Sequence, residues 1–404
     1  MNQTPTAAEL RDNLVDQMIL NTVSLTSDVE RALRTVGRET FIPGVDLKAA
    51  YADQAVTIKD NPNGPLALSC ASVPSVVAMM LVQLDVRRGD NVLEIGAGTG
   101  YNAALLAELA GAPGRVTSID IDSDVALHAR TMLDRAGYEH VDVIERDGLT
   151  GAPENAPYDR MLAAVGLWDV PTAWWDQLRE GGRLVLPLRW RGQTRSVALT
   201  RRGGTLVSDD MALCGFVPII GQDGERTAAL DADDTIRVHY DEDQAVDVDA
   251  LGDSLRGDAQ GIEALSEQRI GGEESFDGVW LRATAGDDRV CRLEVTPDAL
   301  TREQIIRPAI PSRSPLLADG GSLAYLIVRR EGIDPQRPFR LGAAAYGPRA
   351  QALAQDLIAH IETWGEARTA VPRLTITPAN GSPAAGPGHE ISKPESRIML
   401  TYWL

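Results

Sequence analysis

The residues with the clearest chemical potential form a glycine-rich segment that follows an apolar run. Residues 92–100 read Val-Leu-Glu-Ile-Gly-Ala-Gly-Thr-Gly. Glycines between a strand and a helix adopt positive φ angles and let a ligand approach backbone N–H groups. A nicotinamide-binding fingerprint would need glycine at position 101, where the chain has Tyr101. The spacing therefore favours a nucleotide-like ligand other than a dinucleotide, and close packing is the alternative explanation for the glycines.

Two aspartates extend this candidate site. Asp120 ends the next predicted strand, about 20 residues beyond the last glycine, where a carboxylate can accept both ribose hydroxyls. Asp147 ends the third predicted strand, where an adenine amino group would lie, although either aspartate could be an ordinary turn or cap residue. Together the three features indicate S-adenosylmethionine (SAM). The predicted cofactor-binding residues are Glu94, Gly96, Ala97, Gly98, Thr99, Gly100, Asp120, Ile121, Asp147, Gly148 and Val165.

The elements that must position these residues alternate between strands and helices. Strands are predicted at residues 91–95, 115–120, 141–145, 160–165, 183–187 and 196–200, with helices at 101–110 and 124–136. Strands separated by helices are typical of a mainly parallel sheet whose ligands lie at the carboxyl ends of the strands. We therefore expect an α/β fold with a doubly wound, mainly parallel sheet, followed by an α+β domain.

Composition limits the classes of partner. The chain has 404 residues and a net charge of -19, so it would repel nucleic acids and anionic membranes. The three cysteines have no metal-site spacing, and the five histidines show none either. Because the N-terminal residues lack the pattern of a signal peptide, we expect a cytoplasmic location. The charge and the Cys and His spacing lead us to expect a metal-free enzyme with no nucleic-acid or membrane partner. The sequence leaves the oligomeric state open.

Several short motifs between about residues 10 and 220 carry a resemblance to a known family. They are Arg38-Glu39-Thr40-Phe41-Ile42-Pro43, Ala50-Tyr51-Ala52-Asp53, Ser72-Val73-Pro74, Pro157-Tyr158-Asp159-Arg160, residues 177–187 (Gln-Leu-Arg-Glu-Gly-Gly-Arg-Leu-Val-Leu-Pro) and Phe216-Val217-Pro218. This half of the chain resembles the protein-L-isoaspartate (D-aspartate) O-methyltransferase family.

The resemblance implies a Rossmann-like fold of the class I SAM-dependent methyltransferase type, with a seven-stranded sheet. It also implies methyl transfer from SAM to a peptide side-chain carboxylate, with S-adenosylhomocysteine as the product. A carboxylate is already ionised at neutral pH, so the enzyme mainly has to hold it in line with the methyl group. Ser72 matches the family's active-site serine, although a helix cap next to Pro74 is the alternative role. The predicted substrate-binding residues are Tyr51, Asp53, Ser69 and Val73. Cys70 has no neighbouring histidine and is interpreted as a packing residue.

The chain departs from the family before Ser72 and throughout its C-terminal half. Residues 68–74 (Leu-Ser-Cys-Ala-Ser-Val-Pro) lack the usual Thr-Ile pair, and a repair enzyme does not need the extra domain. The motifs at 342–348 and 391–397 resemble the FxLD-system subgroup, which implies methylation of an aspartate in a ribosomally made precursor peptide. The ester would then cyclise to a succinimide (aspartimide), which can hydrolyse to isoaspartate. Repair of isoaspartate in damaged proteins and a non-catalytic SAM-binding scaffold are the alternatives.

Composition also predicts how the chain divides. The expected segments are a helical and acceptor-pocket segment at 1–80, the SAM-binding core at 81–222, an acidic connector at 223–265 and a peptide-recognising α+β domain at 266–404. Within the last segment, strands are predicted at 278–283, 289–295, 323–328, 340–345, 374–377 and 397–403, with a helix at 349–363 and a mobile loop at 379–388.

Overall fold

The N-terminal part of the chain is a group of helices with one small hairpin. The computed structural model describes residues 5–21, 24–62, 67–256, 261–301, 306–332, 336–382 and 388–402. The first elements are α1 (Ala7–Leu20), α2 (Ser27–Thr35), α3 (Arg38–Phe41), α4 (Leu47–Ala50), β1 (Val56–Lys59), β2 (Ser69–Ala71) and α5 (Pro74–Leu84). Strands β1 and β2 pair antiparallel. In the described part of the chain, no helix combines the length and apolarity needed to cross a membrane.

A large sheet follows and confirms the predicted α/β fold. Its elements are β3 (Asn91–Ile95), α6 (Tyr101–Ala110), β4 (Arg115–Asp120), α7 (Ser123–Arg135), β5 (Asp142–Glu145), β6 (Tyr158–Ala163), α8 (Thr172–Gln177), β7 (Leu178–Trp190), β8 (Gln193–Arg202) and β9 (Thr205–Leu213). The strand order is β5-β4-β3-β6-β7-β8-β9, parallel from β5 to β7 and antiparallel from β7 to β9. One-turn 3₁₀ helices lie at Gly148–Thr150 and Pro153–Asn155.

A second, wholly antiparallel sheet begins directly after the first. Its elements are β10 (Glu225–Ala229), β11 (Ile236–Asp241), α9 (Val248–Arg256), β12 (Ile262–Ile270), α10 (Asp277–Thr284), β13 (Val290–Val295), β14 (Ser314–Asp319), β15 (Ser322–Arg330), β16 (Phe339–Tyr346) and α11 (Ala350–Glu366), with a 3₁₀ turn at Ala299–Thr301. The strand order is β10-β11-β13-β14-β15-β16-β12. Residues 223–265 therefore hold two strands, a helix and the start of a third strand, which differs from the predicted connector.

The last three strands return to the first sheet. They are β17 (Arg373–Pro378), β18 (His389–Ser392) and β19 (Ser396–Thr401). Strand β17 pairs with β9, which extends the large sheet to ten strands in the order β18-β19-β17-β9 at that edge. The chain thus divides differently from the predicted single domain at 266–404. Of the loop predicted at 379–388, residues 383–387 lie outside the described residues.

One predicted strand, at 278–283, is wrong because these residues form helix α10. A short apolar run does not by itself distinguish a strand from a buried helix. Here Val279 and Ala283, four residues apart, are both fully buried in the core that α11 also packs against. Tertiary packing against α11 therefore decides the conformation.

The turn between β7 and β8 joins the two sheets. Arg191 in that turn is 2% exposed, and its guanidinium pairs with Asp241 at 3.3 Å, Asp243 at 2.6 Å and Asp288 at 3.0 Å. Trp280 donates from Nε1 to the Arg191 carbonyl oxygen at 3.2 Å. Part of the predicted acidic connector therefore supplies counter-charge for a buried arginine. Removing one partner of such a buried pair is destabilising, since it leaves an uncompensated charge.

Candidate functional site

A cavity of about 1060 Å³ lies at the carboxyl ends of the parallel strands and extends to the second sheet. On the first side it is lined by the glycine-rich turn after β3, the ends of β4, β5 and β6, and the β2–α5 connection. On the other side it is lined by residues of β10, β11 and β13. The position is the one that topology gives to ligands in open α/β sheets.

The three glycines of the turn all have positive φ, but they differ in what surrounds them. Gly100 has φ 84° and begins α6, and a Cβ there would lie 3.0 Å from the Ala129 carbonyl oxygen. Packing therefore explains Gly100, which alone among the predicted cofactor residues is absent from the cavity lining. Gly98 has φ 52°, and a Cβ there would meet no atom closer than 3.8 Å. Gly98 thus presents open backbone to the cavity.

Asp120 is held beside this turn by backbone donors. The Gly98 N–H donates to Asp120 Oδ2 at 3.1 Å, and the Asp122 N–H donates to Oδ1 at 3.1 Å. Burial raises the pKa of this carboxyl group, while the two backbone hydrogen bonds oppose that shift. The arrangement leaves acceptor capacity on a fixed carboxylate that lines the cavity.

Glu94 lies under the glycine turn and is fully buried. Asn102 Nδ2 donates to its Oε1 at 2.7 Å, and Ser118 Oγ donates to its Oε2 at 2.5 Å. Burial raises the pKa of Glu94 to about 7, with the two hydrogen bonds acting in the opposite direction. The carboxyl group therefore titrates near neutral pH in the folded protein.

Glu94 should give the protein a measurable pH dependence of stability. A glutamate in the unfolded chain has a pKa of about 4.3, so between about pH 4.3 and 7 the unfolded chain loses this proton first. The free energy of unfolding should then fall as pH rises through this window, by on the order of 3 kcal/mol. In the Glu94→Gln variant this contribution is absent, and urea unfolding from pH 4.5 to 7.5 measures the difference. Exposed Glu139→Gln is the control, and parallel curves for wild type and Glu94→Gln would contradict the prediction.

Asp147 has the cap role that the sequence allowed, and it also lies at the cavity. Its Oδ1 accepts a hydrogen bond from the Leu149 N–H at 2.9 Å, which caps the 3₁₀ turn, and it also lines the cavity. The Gly148 carbonyl accepts from Trp174 Nε1 at 2.9 Å, and a Cβ on Gly148 would lie 2.6 Å from Ile95. The strand end is therefore tightly packed behind the residue that faces the cavity.

The β2–α5 connection brings part of the predicted acceptor site to the same cavity. Ser69, Ser72 and Val73 line it. The cap of α5 is Val73, without a side-chain cap hydrogen bond, and Asp53 Oδ1 instead accepts from the Ser75 N–H at 2.8 Å. The alternative that Ser72 caps this helix is therefore wrong. Its hydroxyl is placed at the cavity.

Two predicted substrate residues lie outside the lining. Tyr51 is 7% exposed and donates its hydroxyl hydrogen bond to Glu39. Asp53 accepts a hydrogen bond from the Ser75 N–H in the first turn of α5. Both side chains are committed to protein contacts, so they shape the β2–α5 connection and do not face the cavity.

Cys70 lines the cavity as a thiol. Burial raises its pKa, and the neighbouring Arg38 charge only partly opposes that shift. A thiol with a raised pKa is a poor nucleophile at neutral pH, which agrees with the packing role expected from the sequence. Over the described ranges, His, Cys, Asp and Glu form no cluster able to hold a metal ion.

Sequence reasoning missed the part of the cavity that the second sheet and the end of β7 supply. The missed lining residues include Arg189, Thr227, Arg237, His239, Arg292 and Glu294. Thr227 Oγ1 lies 2.9 Å from His239 Nδ1, and His239 Nε2 lies 2.8 Å from Glu294 Oε2. The six residues come from four strands (β7, β10, β11 and β13), so no local motif marks them.

The sequence comparisons with known proteins cover mainly the N-terminal half of the chain, with the first sheet. The family described as Protein-L-isoaspartate(D-aspartate) O-methyltransferase (PCMT) matches residues 9–224, a match that ends before β10 begins. A curated protein-L-isoaspartate O-methyltransferase from Methanocella arvoryzae is 40% identical over 189 residues, which cover 47% of this chain and 96% of that protein. One from Hyperthermus butylicus is 36% identical over 233 residues, 55% of this chain and 93% of that protein. A solved protein-L-isoaspartate O-methyltransferase structure has 19% identity and a TM-score of 0.48, covering 90% of this chain and 96% of that one.

Proposed function

Since the chain belongs to the protein-L-isoaspartate (D-aspartate) O-methyltransferase family, we propose that it is a SAM-dependent O-methyltransferase that acts on an aspartate side chain of a ribosomally made precursor peptide. The observation that carries the proposal is one continuous cavity that joins the glycine turn, Ser72 and the second sheet. A peptide lying in it would contact the family's methyltransferase core and the additional sheet at once.

The residues at the strand ends fit SAM. Gly98 leaves space for a ligand against the backbone, and the fixed carboxylate of Asp120 suits a ribose diol. Asp147 lines the next strand end, where its free oxygen can accept from an adenine amino group. When bound, SAM supplies a sulfonium methyl group that is open to attack by an oxygen nucleophile.

The acceptor side needs little proton chemistry. An aspartate carboxylate is ionised at neutral pH, so no strong base has to generate the nucleophile. Ser72 can donate a hydrogen bond to one carboxylate oxygen and leave the other directed at the methyl group. Its hydroxyl is neutral and thus orients the acceptor without adding charge to the site.

The methyl ester then allows a second reaction, which takes place within the peptide. The backbone nitrogen of the following residue attacks the ester carbonyl, a C–N bond forms, the C–O bond to methoxide breaks, and the amide proton leaves with methoxide as methanol. The product is a succinimide, which persists or adds water to give isoaspartate. A carboxylate is a poor electrophile, so esterification is what makes the cyclisation fast.

Repair of isoaspartate in damaged proteins is the second candidate. It is favoured by the curated relatives, which carry that name at 36–40% identity over nearly their whole length. The peptide-modifying reading is favoured by the second sheet, which lies beyond the family match and lines the same cavity.

Mass spectrometry separates the two candidates. The enzyme is incubated with SAM and either a candidate precursor peptide encoded beside its gene or an isoaspartyl test peptide with its aspartyl twin. We expect the precursor peptide to gain a methyl group and then to show a net loss of water. Methylation of the isoaspartyl peptide alone would establish repair, and no methylation of any peptide despite SAM binding would indicate a scaffold.

A further inference from the structure

Two arginines that line the cavity, one from each sheet, converge on one carboxylate. Arg189 from β7 lies 3.5 Å from Glu225 Oε2, and Arg292 from β13 lies 3.8 Å from the same oxygen. Both side chains are mostly buried, 19% and 25% exposed, and both line the cavity. The two contacts are longer than the 2.7–2.9 Å typical of a charge-assisted hydrogen bond. The single carboxylate of Glu225 therefore satisfies the two guanidinium groups only in part.

The donors of these arginines are largely unused. Nε of Arg189 and Nε of Arg292 are buried and have no hydrogen-bond partner in the described part of the chain. Arg189 also donates from Nη2 to the Phe216 carbonyl oxygen at 3.4 Å, which is a long contact. Buried polar groups are normally paired, so these unpaired donors show that the hydrogen-bonding capacity of the two cavity-lining arginines is incompletely used.

The neighbouring acidic groups already have partners of their own. Glu294 is in contact with Arg237 at 3.2 Å and with His239 at 2.8 Å, and Asp234 pairs with Arg237 at 2.7 Å. Burial and the charge of Arg292 lower the pKa of His239, which disfavours the charged form of the ring. Within this group Glu225 is the carboxylate that approaches both Arg189 and Arg292, so two guanidinium charges share one carboxylate charge.

We propose that Arg189 and Arg292 form a carboxylate-binding subsite that takes an acidic side chain of the peptide close to the methylated aspartate. The inference rests on the proposed function and names a feature of its substrate. Guanidinium groups bind carboxylates through parallel N–H···O bonds, and two of them fix the register of a peptide along the cavity. The turn at Gly192 packs closely against the start of the Arg292 side chain, since an added Cβ would lie 2.5 Å from the Arg292 Cβ.

Paired peptides test the subsite. Every peptide carries the acceptor residue in the form that the enzyme methylates. The two peptides of a pair differ at a single position, up to three residues before or after the acceptor, where one has glutamate and the other glutamine. For wild type we expect KM to be roughly 10- to 100-fold lower with glutamate at one position, the scale of a hydrogen-bonded charge pair, and the difference to shrink as salt rises. Arg292→Gln should reduce the difference to within about twofold, and Arg292→Lys should retain part of it.

Three measurements keep the test decisive. Turnover of the glutamine peptides shows that Arg292→Gln is folded and active, and Arg202→Gln, an exposed arginine outside the cavity lining, should behave as wild type. Equal KM values for every glutamate–glutamine pair would overturn the subsite while leaving the methyltransferase intact. Weaker SAM binding in Arg292→Gln, or an equal loss with both peptides, would instead assign the arginines to the cofactor or the acceptor. Failure of wild type to methylate either peptide would reject the proposed function itself.

Discussion

We expect the replacement of Gly98 by valine to abolish SAM binding while the protein remains folded. Gly98 has φ 52°, and a Cβ would point towards the Cys70 carbonyl oxygen at 3.8 Å and Ser69 Oγ at 4.0 Å. The substitution therefore causes no immediate clash, but its methyl groups occupy the cavity where the cofactor must approach the backbone. The backbone strain of roughly 1–2 kcal/mol is small against a total stability of about 5–15 kcal/mol. Calorimetry should show binding at least about 100-fold weaker, equivalent to about 2.8 kcal/mol.

Gly203→Val is the matched control for this prediction. Gly203 lies in the turn between β8 and β9, has φ 55°, and has no atom within 4 Å of an added Cβ. Valine at position 203 introduces a similar backbone strain, so it should lower the melting temperature by a similar amount. Because Gly203 is not part of the cavity lining, this variant should bind SAM normally. Normal binding by Gly98→Val would remove the glycine turn from the cofactor site. Loss of binding in both variants would attribute the effect to strain.

The first sheet was predictable because its signals are local. Strands β3 and β4 have the predicted bounds, since apolar runs between glycine turns and amphipathic helices mark parallel strands directly. Helix α10 was not predictable, because its short apolar run fits the periodicity of a strand as well as that of a helix. Packing against α11 decides between the two. The pairing of β17 with β9 was also hidden, since a strand's own pattern does not name its partner in the sheet.

The same distinction applies within the cavity. The placement of Gly98, Asp120 and Asp147 at one side of the cavity was predictable because each lies at or just after the end of a recognisable strand. The arginine side was not, since Arg189 and Arg292 converge only after the β7–β8 turn inserts against β13. Tyr51 and Asp53 show the opposite error. They belong to a segment that resembles a family motif, but their polar atoms are used to hold α3 and α5 in place.

Ser72→Ala is expected to lower methyl-transfer turnover by roughly 10- to 1000-fold, the scale of losing one placed hydrogen bond in a transition state. Because Val73 caps α5 and Asp53 binds the Ser75 N–H, the change removes no helix cap. The melting temperature and the SAM dissociation constant should therefore stay close to wild type. Single-turnover kinetics at saturating SAM and peptide isolate the chemical step.

Ser75→Ala and Ser72→Thr complete the Ser72 experiment. Ser75 is in the first turn of the same helix but is absent from the cavity lining, so its loss should leave turnover unchanged. Threonine keeps a hydroxyl at position 72 and should recover part of the rate. Unchanged turnover in Ser72→Ala would show that the acceptor carboxylate is oriented by other groups, with the backbone of the β2–α5 connection as the nearest source of donors. A rate loss accompanied by a matching fall in melting temperature would instead assign Ser72 a structural role.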